Sequence, residues 1–362
     1  MIPIYKPLIE DEEVNAVSKV VRSGWVSSKG KELKVFEDHF SKYIGRKAGV
    51  STSSGTTALH LALAALGIRK GDEVVAPDFT FVSPVNAVIY QNAEPVLVDA
   101  EYETFGADPD KIKEAISKRT KAVVVAHMYG NAARIDEIKE ITEDKGVYLI
   151  EDCAESIGAK YNGKMVGSRG IISCFSFYGN KIITTGEGGM CLTDDYEIGE
   201  KLSTLRDHGM KPEKRYWHDE VGFNYRMTNM QAALGLAQLK KIDQIIARKR
   251  KIAAQYQELL SNRLEVQSDP PNQESVFWLY SVLSKSGTVR ERILRELEKN
   301  DIESRRFFHP VHTMPPYRNF RFISQKRKVS NDISRRGFNL PSYPGISQEE
   351  LTLVSETVNR IV

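Results

Sequence analysis

From about residue 48 to residue 193 the sequence alternates short apolar runs with helical stretches, and few folds accommodate that rhythm. The strand-like runs are DEVVAP (72–77), PVLVDA (95–100), KAVVVAH (121–127), VYLIEDC (147–153), SCFSF (173–177) and GGMCLT (188–193). Helical stretches fall near 56–66, 82–91, 109–117 and 134–145. The third opens with Asp108-Pro109, a side-chain cap followed by a proline in the first turn. Strands alternating with helices make βαβ units, so the expected core is an α/β fold with a mostly parallel sheet buried on both faces. Upstream, Val14, Val17 and Val21 recur at helical spacing and Gly24 follows as a C-cap, which predicts a helix over 11–23. Residues 229–262 read as mostly helical. After about 265 the texture changes: VFWLYSVL (276–283) alternates like a strand, a helix follows at 288–299, and prolines cluster from Pro310 to Pro344. A length of 362 residues suits two domains, a large one over 1–240 and a smaller α/β one over 241–362.

Charge and cysteine content exclude several classes. Lys plus Arg is 51 against 48 for Asp plus Glu, a net charge of +3 that makes no electrostatic case for nucleic acid or an anionic membrane. The basic runs ARKRK (247–251) and KRKV (326–329) read as solvated faces. No stretch of 18 or more apolar residues occurs, and MIPIYKPLIEDEE turns acidic where a signal peptide needs a basic head. Cys153, Cys174 and Cys191 are too few for a disulfide framework. Seven histidines include no HxxxH pair, so no metal site is expected. His208 and His218 read as loop residues and Cys153 as an inert buried thiol. A reduced, cytoplasmic α/β enzyme is the expectation.

Three segments can carry chemistry. In SSGTTALHLALAAL (53–66), small hydroxyl residues and Gly55 precede an apolar helix. Such a helix start offers unpaired N–H groups and the positive end of the dipole to an anion, or simply an ordinary Ser/Thr cap. In LIEDCAESIGA (149–159), Glu151 and Asp152 stand at a strand's carboxyl end, where α/β sheets bind ligands. A carboxylate there suits a metal ligand, a general base or the partner of a cationic ring, and Asp152 with Glu155 also has capping-box spacing. In SCFSFYGNKIITTGEGGMCLT (173–193), Lys181 lies between an apolar strand and a glycine-rich turn. A lysine in apolar surroundings has a lowered pKa and can act as a nucleophile or Schiff base, although most lysines are simply solvated. Together, a phosphate cradle, a strand-end aspartate and a downstream lysine are what a pyridoxal phosphate (PLP) site needs.

The ordered motifs SGWVSSKGKELKVFE (23–37), SSGTTALHLAL (53–63), GDEVVAPDFTFVSP (71–84), EPVLVDA (94–100), EDCAESIGA (151–159), FSFYGNKIITTGEGGM (175–190), NYRMTNMQAALGLAQL (224–239) and HPVHTMPPY (309–317) resemble the DegT/StrS-type nucleotide-sugar aminotransferases. That family has the type I, aspartate aminotransferase-like fold of PLP enzymes. The form FSFYGNK…TTGEGGM followed by RYWHDEVGFNYRMTN (215–229) is most similar to the branch that aminates C4 of GDP-4-keto-6-deoxymannose to GDP-perosamine for lipopolysaccharide O-antigen. The resemblance implies that Lys181 binds the cofactor covalently and that Asp152 partners its ring nitrogen. It implies that Glu155, at a position often Gln, lies near the ring hydroxyl, and that Phe81 stacks on the ring. Gly55, Thr56 and Ser176 match phosphate contacts, and Asn224 matches a residue reaching the phosphate from the neighbouring subunit, so a homodimer with shared active sites is implied. His312 and Tyr317, with Trp25 and Arg226, fall where the family builds its sugar pocket. Glutamate is the implied amino donor and a nucleotide-linked keto sugar the acceptor. A related dehydratase branch has His where this chain has Lys181. The rival expectations are a 3- or 4-keto sugar on UDP or dTDP, and a non-catalytic PLP-binding regulatory protein.

Overall fold

The computed structural model describes residues 1–362 apart from 212, 267–269, 271 and 326–327. The alternating region gives the large sheet seven strands: β1 (Ala48–Thr52), β2 (Glu73–Pro77), β3 (Glu94–Val98), β4 (Thr120–Ala126), β5 (Tyr148–Asp152), β6 (Ile172–Ser176) and β7 (Gly189–Thr193). Downstream come β8 (Glu265–Val266), β9 (Tyr280–Leu283), β10 (Arg305–Arg306), β11 (Phe322–Ile323) and β12 (Gly337–Leu340). The large sheet has the order β1-β7-β6-β5-β4-β2-β3-β11. Its β6-β5-β4-β2-β3-β11 stretch is parallel, and β7 runs antiparallel to both neighbours.

Strand pleating sends alternate side chains to opposite faces. Val123 and Val125 of β4 join one apolar cluster, whereas Ala122 and Val124 join another. Helices cover both faces, which is why these strands read as continuous apolar runs. The helices Gly55–Ala65, Ser83–Tyr90, Pro109–Ala115 and Ile135–Lys145 fall where the sequence places them, and Asp108 caps the third by accepting from the Asp110 N–H at 2.9 Å. A second sheet, antiparallel with the order β8-β9-β12-β10, packs with the helices Ile242–Leu259, Gly287–Lys299 and Gln348–Asn359 around its own apolar cluster. The short β11, drawn from the C-terminal third, returns to the large sheet beside β3.

Four readings differ in detail. The helix Asp11–Ser23 ends on left-handed Gly24 as expected, yet Val14 and Val21 are half exposed. Its buried side is Val20 and Glu13, because Glu13 is drawn inward by Gln238 at 2.9 Å and Lys241 at 2.8 Å. VFWLYSVL is buried throughout and forms ladder only from Tyr280, since Phe277 adopts a left-handed conformation (φ 46°). Asp152 and Glu155 make no capping box, because a turn rather than a helix follows β5. In ARKRK, Lys249 is buried while Arg248 and Lys251 are exposed. Of KRKV, Lys326 and Arg327 lie outside the described residues.

Candidate active site

The carboxyl ends of the parallel strands converge on a cavity of about 460 Å³. The β4–β5 and β5–β6 registers set Asp152 level with Ala126 and Cys174, so the tips of three strands floor one site.

One end of the cavity is built for an anion. The helix Gly55–Ala65 begins at Ser54, whose hydroxyl accepts from the Thr57 N–H at 3.1 Å while Thr57 Oγ1 accepts from the Ser54 N–H at 2.9 Å. That reciprocal cap leaves Gly55 and Thr56 at the first two helical positions, where the helix supplies no acceptor for their N–H groups. A Cβ on Gly55 would stand 2.7 Å from the Ser176 Cβ, so only glycine lets the helix start approach β6 this closely. Thr56 Oγ1 lies 2.7 Å from Ser83 Oγ, adding hydroxyls beside the dipole's positive end.

The other end carries acids and an amine. Asp152 is buried, and burial raises its pKa against the opposing Ala154 N–H donor at 3.0 Å and the charge of Lys181. Glu155 is pushed up to about 7 by burial, opposed by Lys181 and by the Tyr129 N–H that donates to it at 3.0 Å. Lys181 is buried with its Nζ 3.8 Å from the Trp278 ring centroid. Burial lowers its pKa, Glu155 and Asp152 oppose that, and Arg305 reinforces it. Tyr5 donates its hydroxyl to the Lys181 carbonyl at 2.6 Å, so the lysine's backbone is also held. Phe81, 55% exposed, forms a wall next to Phe308.

Behind Asp152 lies a different arrangement. Glu151 accepts the N–H groups of Gly167, Arg169 and Gly170 at 2.6–2.7 Å and faces His127 Nε2 at 3.1 Å. Because the Ala133 N–H donates to His127 Nδ1 at 3.0 Å, the ring proton sits on Nε2 and is donated to Glu151. Burial opposes the charge on Glu151, but these donors outweigh it and hold the carboxyl at about 2. With Cys153 the pair forms a tight cluster of metal-binding residue types, yet the carboxylate oxygens and Nδ1 are committed to N–H donors. Burial pushes the Cys153 thiol well up.

An anion cradle, two half-satisfied acids and an unpaired amine in one cavity are the parts of an amino-group-transfer site. The family model of the DegT/DnrJ/EryC1/StrS aminotransferases matches residues 7–359. The chain belongs to that family. Among curated relatives, a GDP-perosamine synthase from Vibrio cholerae is 43% identical over 97% of this chain and 96% of its own. One from Escherichia coli O157:H7 is 40% identical over 99% and 98%. A Streptococcus pneumoniae structure determined in a PLP form superposes with a TM-score of 0.92 at 27% identity, covering 99% of this chain and 98% of that one. The type I aminotransferase fold expected from the sequence is the observed one.

In this aminotransferase Lys181, Asp152, Glu155, Gly55, Thr56, Ser176 and Phe81 share the cavity. Five sequence candidates do not line it. Trp25 is 63% exposed. Asn224 is exposed, and its side-chain oxygen accepts from Arg226 at 2.9 Å, while Arg226 also pairs with Asp207 at 2.8 Å. His312 is bound through its N–H and Nδ1 to Asp78, both at 2.8 Å, and its ring stacks on Phe322. Tyr317 is nearly buried with its hydroxyl on Asn86 at 2.8 Å. Sequence reasoning missed Trp278, Arg305 and Phe308 as cavity residues. They come from C-terminal segments, and no local spacing announces that those segments fold back over β5.

Proposed function

We propose that the chain transfers an amino group from glutamate to a GDP-linked 4-keto-6-deoxyhexose, GDP-4-keto-6-deoxymannose, through PLP. The observation that carries this reading is the cavity in which a buried lysine, two buried acids and a glycine-gated helix start meet. The residues fit the cofactor. The Gly55 and Thr56 N–H groups with the Thr56 and Ser176 hydroxyls would hold its phosphate, Phe81 would lie against its ring, and Asp152 would hold a proton at the ring nitrogen. When bound, the cofactor supplies an aldehyde that takes up the amine and a ring that withdraws electrons from it.

The chain's own residues do the rest. Lys181, its proton affinity lowered by burial, moves a proton at the donor's α-carbon and later at the acceptor carbon. Glu155, poised at about 7, exchanges a hydrogen bond at the ring hydroxyl. The Phe81–Phe308 wall bounds the cavity. Asn224 is exposed and outside its own cavity, which suits a residue delivered to a second copy, so the active form is read as a homodimer. Trp25, Arg226, His312 and Tyr317 are assigned to the sugar side of that shared site. The GDP-perosamine synthase relatives support the nucleotide and sugar, and a role in O-antigen precursor synthesis is proposed with that product. No described helix is long and apolar enough to cross a membrane, and all three cysteines are free, which suits a cytoplasmic enzyme.

The test is a spectrophotometric titration. Glutamate should bleach the visible band of the PLP-loaded protein, and GDP-4-keto-6-deoxymannose should restore it. Bleaching that only UDP- or dTDP-linked keto sugars reverse would overturn the GDP assignment. A protein that never develops the band would overturn the cofactor assignment.

A further inference from the structure

Lys181 is close enough to Asp152 and Glu155 to feel both charges, yet its amine is docked on an aromatic face. Its Nζ stands 3.8 Å from the Trp278 ring centroid, well inside the range of a cation–π contact. Trp278 itself is buried and held at three points. Its indole N–H donates to the Asn180 carbonyl at 2.6 Å, one residue before the lysine. Its own carbonyl accepts from the buried Lys249 amine at 2.9 Å. Its ring lies parallel to that of Tyr129, 6.2 Å away. The segment leading to it is pinned where Val276 N–H donates to the Gly130 carbonyl at 3.0 Å. A Cβ on Gly130, at φ 103°, would stand 2.6 Å from the Phe277 and Trp278 nitrogens, so that crossing admits no side chain.

We propose that Trp278 is a positioning residue: its indole face docks the free amine of Lys181 and keeps it from collapsing onto Asp152 and Glu155. An ion pair there would commit one of the two acids that the proposed reaction needs. An aromatic face binds the ammonium without taking a proton from it and without blocking either carboxylate. Lys249 serves the same arrangement one layer further out. Its amine also reaches the Ser342 carbonyl and, at 3.0 Å, the Ser342 hydroxyl, so it is held by three acceptors. This assignment rests on the proposed role of Lys181. The charged groups facing the amine are Asp152 and Glu155 from the end of β5 and Arg305 from β10, with Lys249 behind the indole.

The experiment compares the full-length wild type with Trp278→Phe and Trp278→Leu, each freed of cofactor. Acetic anhydride labelling of Lys181 is followed across pH by mass spectrometry. The amine rests on the indole although both acids are near, so the ion-pair position is the weaker one for the ammonium, and loss of the aromatic face should lower the titration midpoint of Lys181 in Trp278→Leu by about half a unit to one and a half units, with Trp278→Phe between. In the loaded enzymes, the limiting rate of bleaching by glutamate should fall about 2- to 30-fold in Trp278→Leu with little change in the half-saturating concentration, and Trp278→Phe should recover part of it. Thermal melts identify a variant that is merely unfolded, and Trp278→Phe keeps the comparison readable if the leucine variant is. Equal midpoints in folded variants, or a higher midpoint in Trp278→Leu, would overturn the assignment. Should glutamate fail to bleach the wild type, the aminotransferase reading fails while the order of midpoints still reports on the docking.

Discussion

Glu151 and Asp152 are consecutive residues at the end of β5, both buried, and they face opposite sides of the sheet. Glu151 is surrounded by three backbone N–H donors and an imidazole, which hold it at about 2. Asp152 receives the Ala154 N–H, and burial leaves its pKa raised. The two buried lysines repeat the contrast in their hydrogen bonds, although burial disfavours the charge on both and lowers the Lys249 pKa to about 7. Lys249 donates to the Trp278 and Ser342 carbonyls and the Ser342 hydroxyl, whereas Lys181 rests on an aromatic face. A buried charge whose bonding capacity is filled by the fold acts as a structural anchor. A buried charge left partly unfilled destabilises the fold slightly and is available to a ligand.

This division makes predictions, the largest at the site. Lys181→Ala should cut the glutamate half-reaction by about 10²–10⁴-fold or more. It should leave the melting temperature unchanged or raised, because a buried amine whose charge is disfavoured by burial is lost; ordinary turnover would break the assignment. Asp152→Asn should slow the same half-reaction by about 10²–10³-fold, the usual cost of losing one electrostatic stabiliser. Chemical denaturation should show no loss of stability, since its charge is disfavoured by burial.

Glu151→Gln should do the reverse. Its carboxyl sits at about 2 in the fold against an ordinary 4.5. The stability it contributes is therefore present above about 4.5 and lost as pH falls from there toward 2. Near neutrality the substitution should cost about 3 kcal/mol in urea unfolding, with the rate per folded molecule little changed. Equal effects of Glu151→Gln and Asp152→Asn on stability would erase the distinction between the two faces.

Glu155→Gln should give the smallest change. With its pKa raised from 4.5 to about 7, the native state holds a proton that the unfolded chain releases, so wild-type stability falls as pH rises through that window. The variant should flatten that slope in melts recorded from pH 4.5 to 7 and stay within about tenfold of wild-type activity, because an amide keeps a hydrogen-bonding group at that position.

Much of the fold was legible because its signals are local. Each expected strand of the alternating region is present to within two residues, and Asp108, Ser54 and Gly24 act at helix ends as their types suggest. Strand β1 and the helix Lys31–Ile44 escaped notice, since AGVST is short and the Leu33–Phe36–Phe40–Ile44 stripe is interleaved with charges. The spacing of Val14, Val17 and Val21 marked the first helix correctly but not its buried side, which the Glu13–Lys241 pair occupies instead. ARKRK reads as solvated because nothing local shows that Lys249 will meet carbonyls 29 and 93 residues away.

The sequence by itself determined the α/β class, the helix start at Gly55, the strand-end position of Asp152 and Lys181 between β6 and its glycine-rich turn, because caps, periodicity and pleating act over a few residues. Only the tertiary structure decided the strand order, the separate commitments of Glu151 and Asp152, and the arrival of Trp278 and Arg305 at the lysine. Those depend on packing between segments about a hundred residues apart, where side-chain volume and the need to satisfy every buried polar group select the partner, and no local pattern encodes that selection.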